Sequence, residues 1–119
     1  MTTKEMAARL IELCQQGQFE TAQKELYADD AVSIEQEASP AFEKEIKGLQ
    51  NIIDKGHKFD SMVEEMHSLS ISEPLLAGNS FAFTLFMDAT MKERGKMTTT
   101  ELCVYKIKDG KIISEEFFM

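Results

Sequence analysis

No apolar run in the 119 residues approaches membrane-spanning length, and no run of lysine and arginine occurs anywhere. The first absence argues against a bilayer partner. The opening MTTKEMAARL also lacks the apolar centre of a secretory leader. The second absence argues against nucleic acid, because phosphate backbones are held by clustered cations. Acids outnumber bases by 21 to 13, for a net charge of -8. Cysteine is scarce: Cys14 and Cys103 are too few for a disulfide framework and lack metal-motif spacing. They read as small buried hydrophobes of a reducing, cytoplasmic environment. No repeat, low-complexity tract or linker interrupts the chain, so it is expected to form one domain over residues 1–119. A single His near two acids is a weak ligand set, so no metal and no cofactor is expected.

What remains is dense in elements. Thr2 and Glu5 have the spacing of a capping box, and Met6, Leu10, Leu13 and Cys14 follow at helical period up to Gly17. Phe19, Ala22 and Leu26 make a second, shorter helical stripe. Asp29-Asp30 ends it, and Val32 and Ile34 alternate with polar residues as on a short strand. A third helix is expected from Glu45, with Leu49, Ile52, Ile53 and Gly56 on one side. Phe59 to Ile71 reads as extended. Ser80 to Met119 then reads as three long strands with turns at Arg94-Gly95 and Asp109-Gly110.

Hairpin arithmetic places side chains on faces. Two-residue turns at Arg94-Gly95, Asp109-Gly110 and Gly78-Asn79 put Asp88 opposite Glu101, Cys103 opposite Glu116, and Leu69 opposite Asp88. One face then gathers His67, Asp88, Glu101 and Glu116 among Leu69, Phe86, Cys103, Tyr105 and Phe118. A slip of one residue in any turn would move a whole strand to the other face. Opposed carboxyls in an apolar setting cannot both ionise, so one keeps its proton or finds a cation. A neutral carboxylic acid can donate to an oxyanion, and His67 could relay a proton. The competing reading leaves Asp88 and Glu101 solvated at the sheet rim, with His67 a packing residue; Tyr27 reads as core. The opposite parity carries Phe81, Phe83, Leu85 and Met87. Exposing these would forgo roughly 1.5–3 kcal/mol each, so that face is expected to meet a second copy in a homodimer.

GQFETAQKELYADDAVSIE, a Gly-initiated helix at GLQNII, SFAFTLF and ELCVYKIKDGKIISEEFF are similar to a SnoaL-like domain. That family lies in the superfamily of nuclear transport factor two, ketosteroid isomerase and scytalone dehydratase. The resemblance implies an α+β, cystatin-like cone: a strongly bent antiparallel sheet round a pocket, closed by three helices, with dimers common through the outer face. It places Glu35 where ketosteroid isomerases carry their base and Glu101 where they carry a protonated acid. Leu10 stands where they carry an oxyanion tyrosine, so the steroid-type reaction is not implied. Function is therefore read as binding of a small molecule in an acid-lined pocket walled by Leu10, Phe86, Cys103, Tyr105 and Phe118. The alternatives are a cofactor-independent acid/base enzyme (isomerase, cyclase or dehydratase) using Glu101, Asp88, His67 and Glu35, or a dimeric assembly module. A pocket of about 300 Å³ or more would favour the first two.

Overall fold

The computed structural model describes all residues from Met1 to Met119. Helices α1 (Thr3–Gln15) and α2 (Phe19–Leu26) lead into strand β1 (Tyr27–Ile34). Strand β2 (Glu45–Lys47) and helix α3 (Leu49–Met62) follow, then β3 (Val63–Ile71), β4 (Leu75–Ala77), β5 (Ser80–Met91), β6 (Gly95–Lys108) and β7 (Lys111–Phe118). The seven strands make one curled, unclosed sheet in the order β2-β1-β7-β6-β5-β3, with β4 also on β5. Only β1 and β7 run parallel.

α1 begins as its sequence requires. The Thr2 hydroxyl accepts from the Glu5 amide at 3.1 Å, and the Glu5 carboxylate accepts from the Thr2 amide at 2.8 Å. Gly17 then takes φ 74°, which lets the chain reverse into α2. Met6, Leu10, Leu13 and Cys14 are all buried against the concave side of the sheet. The third helix starts at Leu49 rather than Glu45, because Glu45–Lys47 pairs with β1 and Gly48 at φ 96° breaks the backbone before the helix. It runs to Met62, so the extended segment begins at Val63 and not Phe59.

Three junctions fix which side chains face inward. At Asp109-Gly110 both residues have positive φ, 53° and 75°, and Lys108 pairs with Lys111 as expected of a type I′ hairpin. At Arg94-Gly95 the expectation fails. A two-residue type I′ turn would require positive φ at Arg94, which costs an L residue about 1–2 kcal/mol. Instead Lys92, Glu93 and Arg94 form a three-residue loop, Gly95 takes φ 77°, and Met91 pairs with Gly95. The register therefore moves by three: Leu85 lies opposite Glu101 and Asp88 opposite Thr98. The third junction is an irregularity between Lys106 and Ile107, beyond which Tyr105 pairs with Glu115, Cys103 with Phe117 and Val104 with Glu116.

An odd shift inverts a face. Phe81, Phe83 and Leu85 consequently share the concave side with Glu101, Cys103 and Tyr105. Phe81 and Phe83 are 2% exposed, and the Phe81 and Tyr105 rings stack with centroids 4.9 Å apart. Of the residues expected on an outer dimer face, Phe81 and Phe83 are thus core and Leu85 packs against it. The convex face carries Phe86, Leu102 and Phe118 instead, with Leu102 directly opposite Phe118. No helix is long and apolar enough to cross a membrane.

Candidate functional site

Beneath the helices the curl of the sheet leaves a cavity of about 140 Å³. Leu10 and Cys14 of α1 and Phe19 and Gln23 of α2 roof it. Tyr27, Leu85, Glu101, Cys103, Tyr105, Glu115 and Phe117 form its walls and floor. This is under half the roughly 300 Å³ set out for a drug-sized ligand. It matches the roughly 150 Å³ that holds benzene in an apolar protein cavity.

Two carboxyls share this space, and their surroundings differ. Glu115 is 5% exposed. Its Oε1 meets the Tyr27 hydroxyl, and its Oε2 accepts from Ser33 Oγ at 2.6 Å. β1 and β7 being parallel neighbours puts Ser33 opposite Glu115. The Glu115 carboxyl is raised, chiefly by burial and also by the Glu35 charge, against the Ser33 and Tyr27 hydrogen bonds and the Lys55 charge, which pull it down. Glu101 has only the Cys103 thiol, a weak donor, at 3.7 Å. Burial, then the Glu35 charge, lift its carboxyl up to about 7. Burial likewise pushes the Cys14 thiol up to about 12, with Glu115 adding to it, and raises Cys103 further. Neither thiol is a nucleophile in this setting.

Glu35, just past the end of β1, is engaged by Lys55 of α3, whose Nζ donates to its Oε2 at 2.6 Å. The same ammonium donates to Ser33 Oγ at 3.0 Å and lies 5.3 Å from the centre of the Phe117 ring.

The structure thus gathers Glu101, Leu10, Cys103 and Tyr105 at the cavity, with Glu35 one ion pair behind its wall. It does not bring Asp88, His67, Phe86 or Phe118 there. The register shift turns Asp88 and Phe86 to the convex face, where Lys96 Nζ lies 3.9 Å from Asp88 Oδ2 and Oδ1 is buried without a partner. The His67 ring nitrogens meet Thr90 Oγ1 at 2.6 Å and Glu65 Oε2 at 3.1 Å, away from Glu101. Phe86 and Phe118 are 37% and 38% exposed. No three His, Cys, Asp or Glu side chains converge as metal ligands. Glu115, Ser33 and Lys55 were missed in the sequence. Glu115 hides behind the strand irregularity at Lys106, and Lys55 meets β1 only through the tertiary packing of α3.

A Mesorhizobium loti protein that carries the provisional name SnoaL-like polyketide cyclase is 31% identical over the whole of both chains, with a TM-score of 0.92. A Xanthomonas campestris protein of unknown function and cystatin-like fold superposes with a TM-score of 0.84 at 17% identity, over 99% of this chain and 90% of its own. A protein of ketosteroid isomerase-like fold from Catenulispora acidiphila, complexed with trimethylamine, gives a TM-score of 0.72 at 17% identity, over 99% and 87% of the two chains. No curated protein matches the chain. The SnoaL-like domain family model matches residues 1–119, and the chain belongs to that family.

Proposed function

We propose that the cavity binds one compact, uncharged molecule of benzene-like size, which accepts a hydrogen bond from the Glu101 carboxyl. The observation that carries this reading is the unequal treatment of two carboxyls in one small apolar space. Glu115 has two good donors and a cation behind one of them, whereas Glu101 has a single thiol. With its carboxyl lifted up to about 7, Glu101 holds a substantial share of its protons at neutral pH. A neutral carboxylic acid donates, and an apolar wall strengthens that bond. A bound anion would face Glu115 and Glu35 with only Lys55 in reach, so anions are disfavoured.

Phenol, cyclohexanone and benzoate added to labelled protein at pH 6.5 make the test. Phenol and cyclohexanone should perturb the resonances of Leu85, Glu101 and Phe117, and benzoate should bind at least tenfold more weakly. Equal binding of all three, or perturbation confined to the convex face, would refute the reading.

A second reading, proton transfer next to a carbonyl, is favoured by the same raised Glu101 carboxyl, since a general acid works best near ambient pH. It also agrees with the cyclase name of the Mesorhizobium loti relative. Turnover of a carbonyl substrate that vanishes in Glu101→Gln would support it, and turnover unchanged in that variant would exclude Glu101.

The convex face supports self-association. Phe86, Leu102 and Phe118 are 37%, 40% and 38% exposed on adjacent strands. Light scattering at micromolar concentration should report a dimer that Leu102→Glu dissociates. A monomeric parent would end that proposal.

A further inference from the structure

Behind the cavity wall runs a hydrogen-bonded file that the proposed binding role does not use: Glu115, Ser33, Lys55, Glu35. Ser33 is fully buried, and the Lys55 and Glu35 side chains are only 14% and 20% exposed. A serine hydroxyl has one hydrogen. Ser33 Oγ accepts from Lys55 at 3.0 Å, so that hydrogen is left for Glu115 Oε2 at 2.6 Å. The Tyr27 hydroxyl serves the other oxygen. Both Glu115 oxygens are thereby fitted to receive, the arrangement of an ionised carboxylate. Glu35 is neutralised by Lys55 at 2.6 Å and is not free to act as a base.

We propose that Lys55 is a positioning residue which, through Ser33, holds Glu115 as the charged acceptor of the cavity, while Glu101, buried in the same cavity with only a thiol beside it, is left as the donor. The two cavity carboxyls then carry one proton between them with divided roles. The favoured ligand is a molecule that presents an acceptor to Glu101 and a donor to Glu115, such as a hydroxyketone or a phenolic carbonyl.

Burial and the Glu35 charge oppose this division at Glu115, and the donors from Ser33 and Tyr27 with the Lys55 charge favour it. Glu115 is faced by Cys14 of α1, Tyr27 and Ser33 of β1, Lys55 of α3, and Glu101, Cys103 and Tyr105 of β6. The thiols and phenols there are pushed up by burial and stay neutral, so they add no charge. Glu101 feels Glu35 and Glu115 raising it, and Cys103 and Lys55 lowering it. Removing Lys55 or Glu35 must therefore move Glu101 in opposite directions, which general loosening of the fold would not do.

The ligand class rests on the binding role proposed above, but the charge assignment is tested without any ligand. Carbon-13 titration of the glutamate carboxyls would be followed in the full chain and in Lys55→Met, Glu35→Gln and Ser33→Ala. The expected result is that Glu115 ionises before Glu101. Glu35→Gln should lower the Glu101 midpoint by up to about one pH unit, and Lys55→Met should raise it by less. Ser33→Ala should raise Glu115, bringing its midpoint closer to that of Glu101. Lys55→Arg, which keeps the charge, should restore the parent Glu101 midpoint. Should Lys55→Met fail to fold, Glu35→Gln and Ser33→Ala still decide. Glu115 titrating after Glu101, or no downward movement of Glu101 in Glu35→Gln, overturns the assignment. Failure of every ligand to bind with these titrations as expected would remove the binding role and leave the charge division standing.

Discussion

Replacing Glu101 by Gln should make the protein more stable above neutral pH and nearly unchanged in acid. The Glu101 carboxyl is lifted from 4.5 to about 7 in the fold, chiefly by burial. Between those values the folded chain therefore binds a proton that the unfolded chain has released. Stability from this group is complete below about pH 4.5 and is lost as pH rises through 7. The interval of about 2.5 pH units, at about 1.36 kcal/mol each, sets a ceiling of about 3.4 kcal/mol. Gln is close in shape to the neutral acid and has no charge to desolvate. Urea unfolding of parent and Glu101→Gln at pH 5, 6, 7 and 8 would measure the gap. Near pH 5 the variant should lead by no more than about 1 kcal/mol. By pH 8 the variant should lead by about 2–3 kcal/mol, or roughly 10 °C in Tm. Glu115 contributes its own pH dependence to both proteins, so the difference between them reports Glu101 and its coupling to Glu115. A constant offset at all four pH values would refute the claim that Glu101 is protonated by burial.

The remaining expectations concern stability alone. Tyr27→Phe removes the donor from Glu115 Oε1 while keeping nearly the same volume. It should cost about 1–3 kcal/mol in urea unfolding, the effect of a buried acceptor left unmet, and a loss under 0.5 kcal/mol would show that Tyr27 only packs. Gly95→Ala and Gly56→Ala form a matched pair, because an added methyl meets nothing at either position. Only Gly95 has positive φ, so its replacement should cost about 1–2 kcal/mol, while Gly56→Ala within α3 should gain about 0.5–1 kcal/mol.

The elements were legible wherever local chemistry decides. The Thr2–Glu5 box, the Gly17 stop and the Asp109-Gly110 turn each satisfy backbone demands within a few residues, and each stands as expected. The cavity was only half legible, because face assignment depends on register. Arg94-Gly95 differs from Asp109-Gly110 in one respect: glycine in second place, without Asn or Asp before it, suits a three-residue loop ending in a left-handed glycine. Gly78-Asn79 does make a two-residue turn, but it joins β4 to β5, with Ala77 opposite Ser80. β3 then meets β5 one residue out of that register, Ser68 opposite Asp88. β2 had no period to read, since three residues on a sheet edge are fixed by the neighbour they pair with.

The strand irregularity beyond Lys106 shows how little backbone separates two different sites. With Lys108 opposite Lys111 and unbroken pairing, Cys103 would face Glu116 and Glu115 would point to the convex side. One extra residue on β7 exchanges them. The adjacent apolar pair Ile112 and Ile113 is the trace this leaves, since strict alternation would have placed a polar residue at one of them. The exchange is tolerated because the parallel neighbour β1 presents Ser33 and Tyr27 to the carboxylate that has been turned inward. Turned the same way, Glu116 would need its donors one residue along β1, where Ile34 pairs with it. An isoleucine has none to give. The chain can therefore bury a second acid at 115 and not at 116, and it is this residue, with Lys55 behind it, that makes the proton on Glu101 matter.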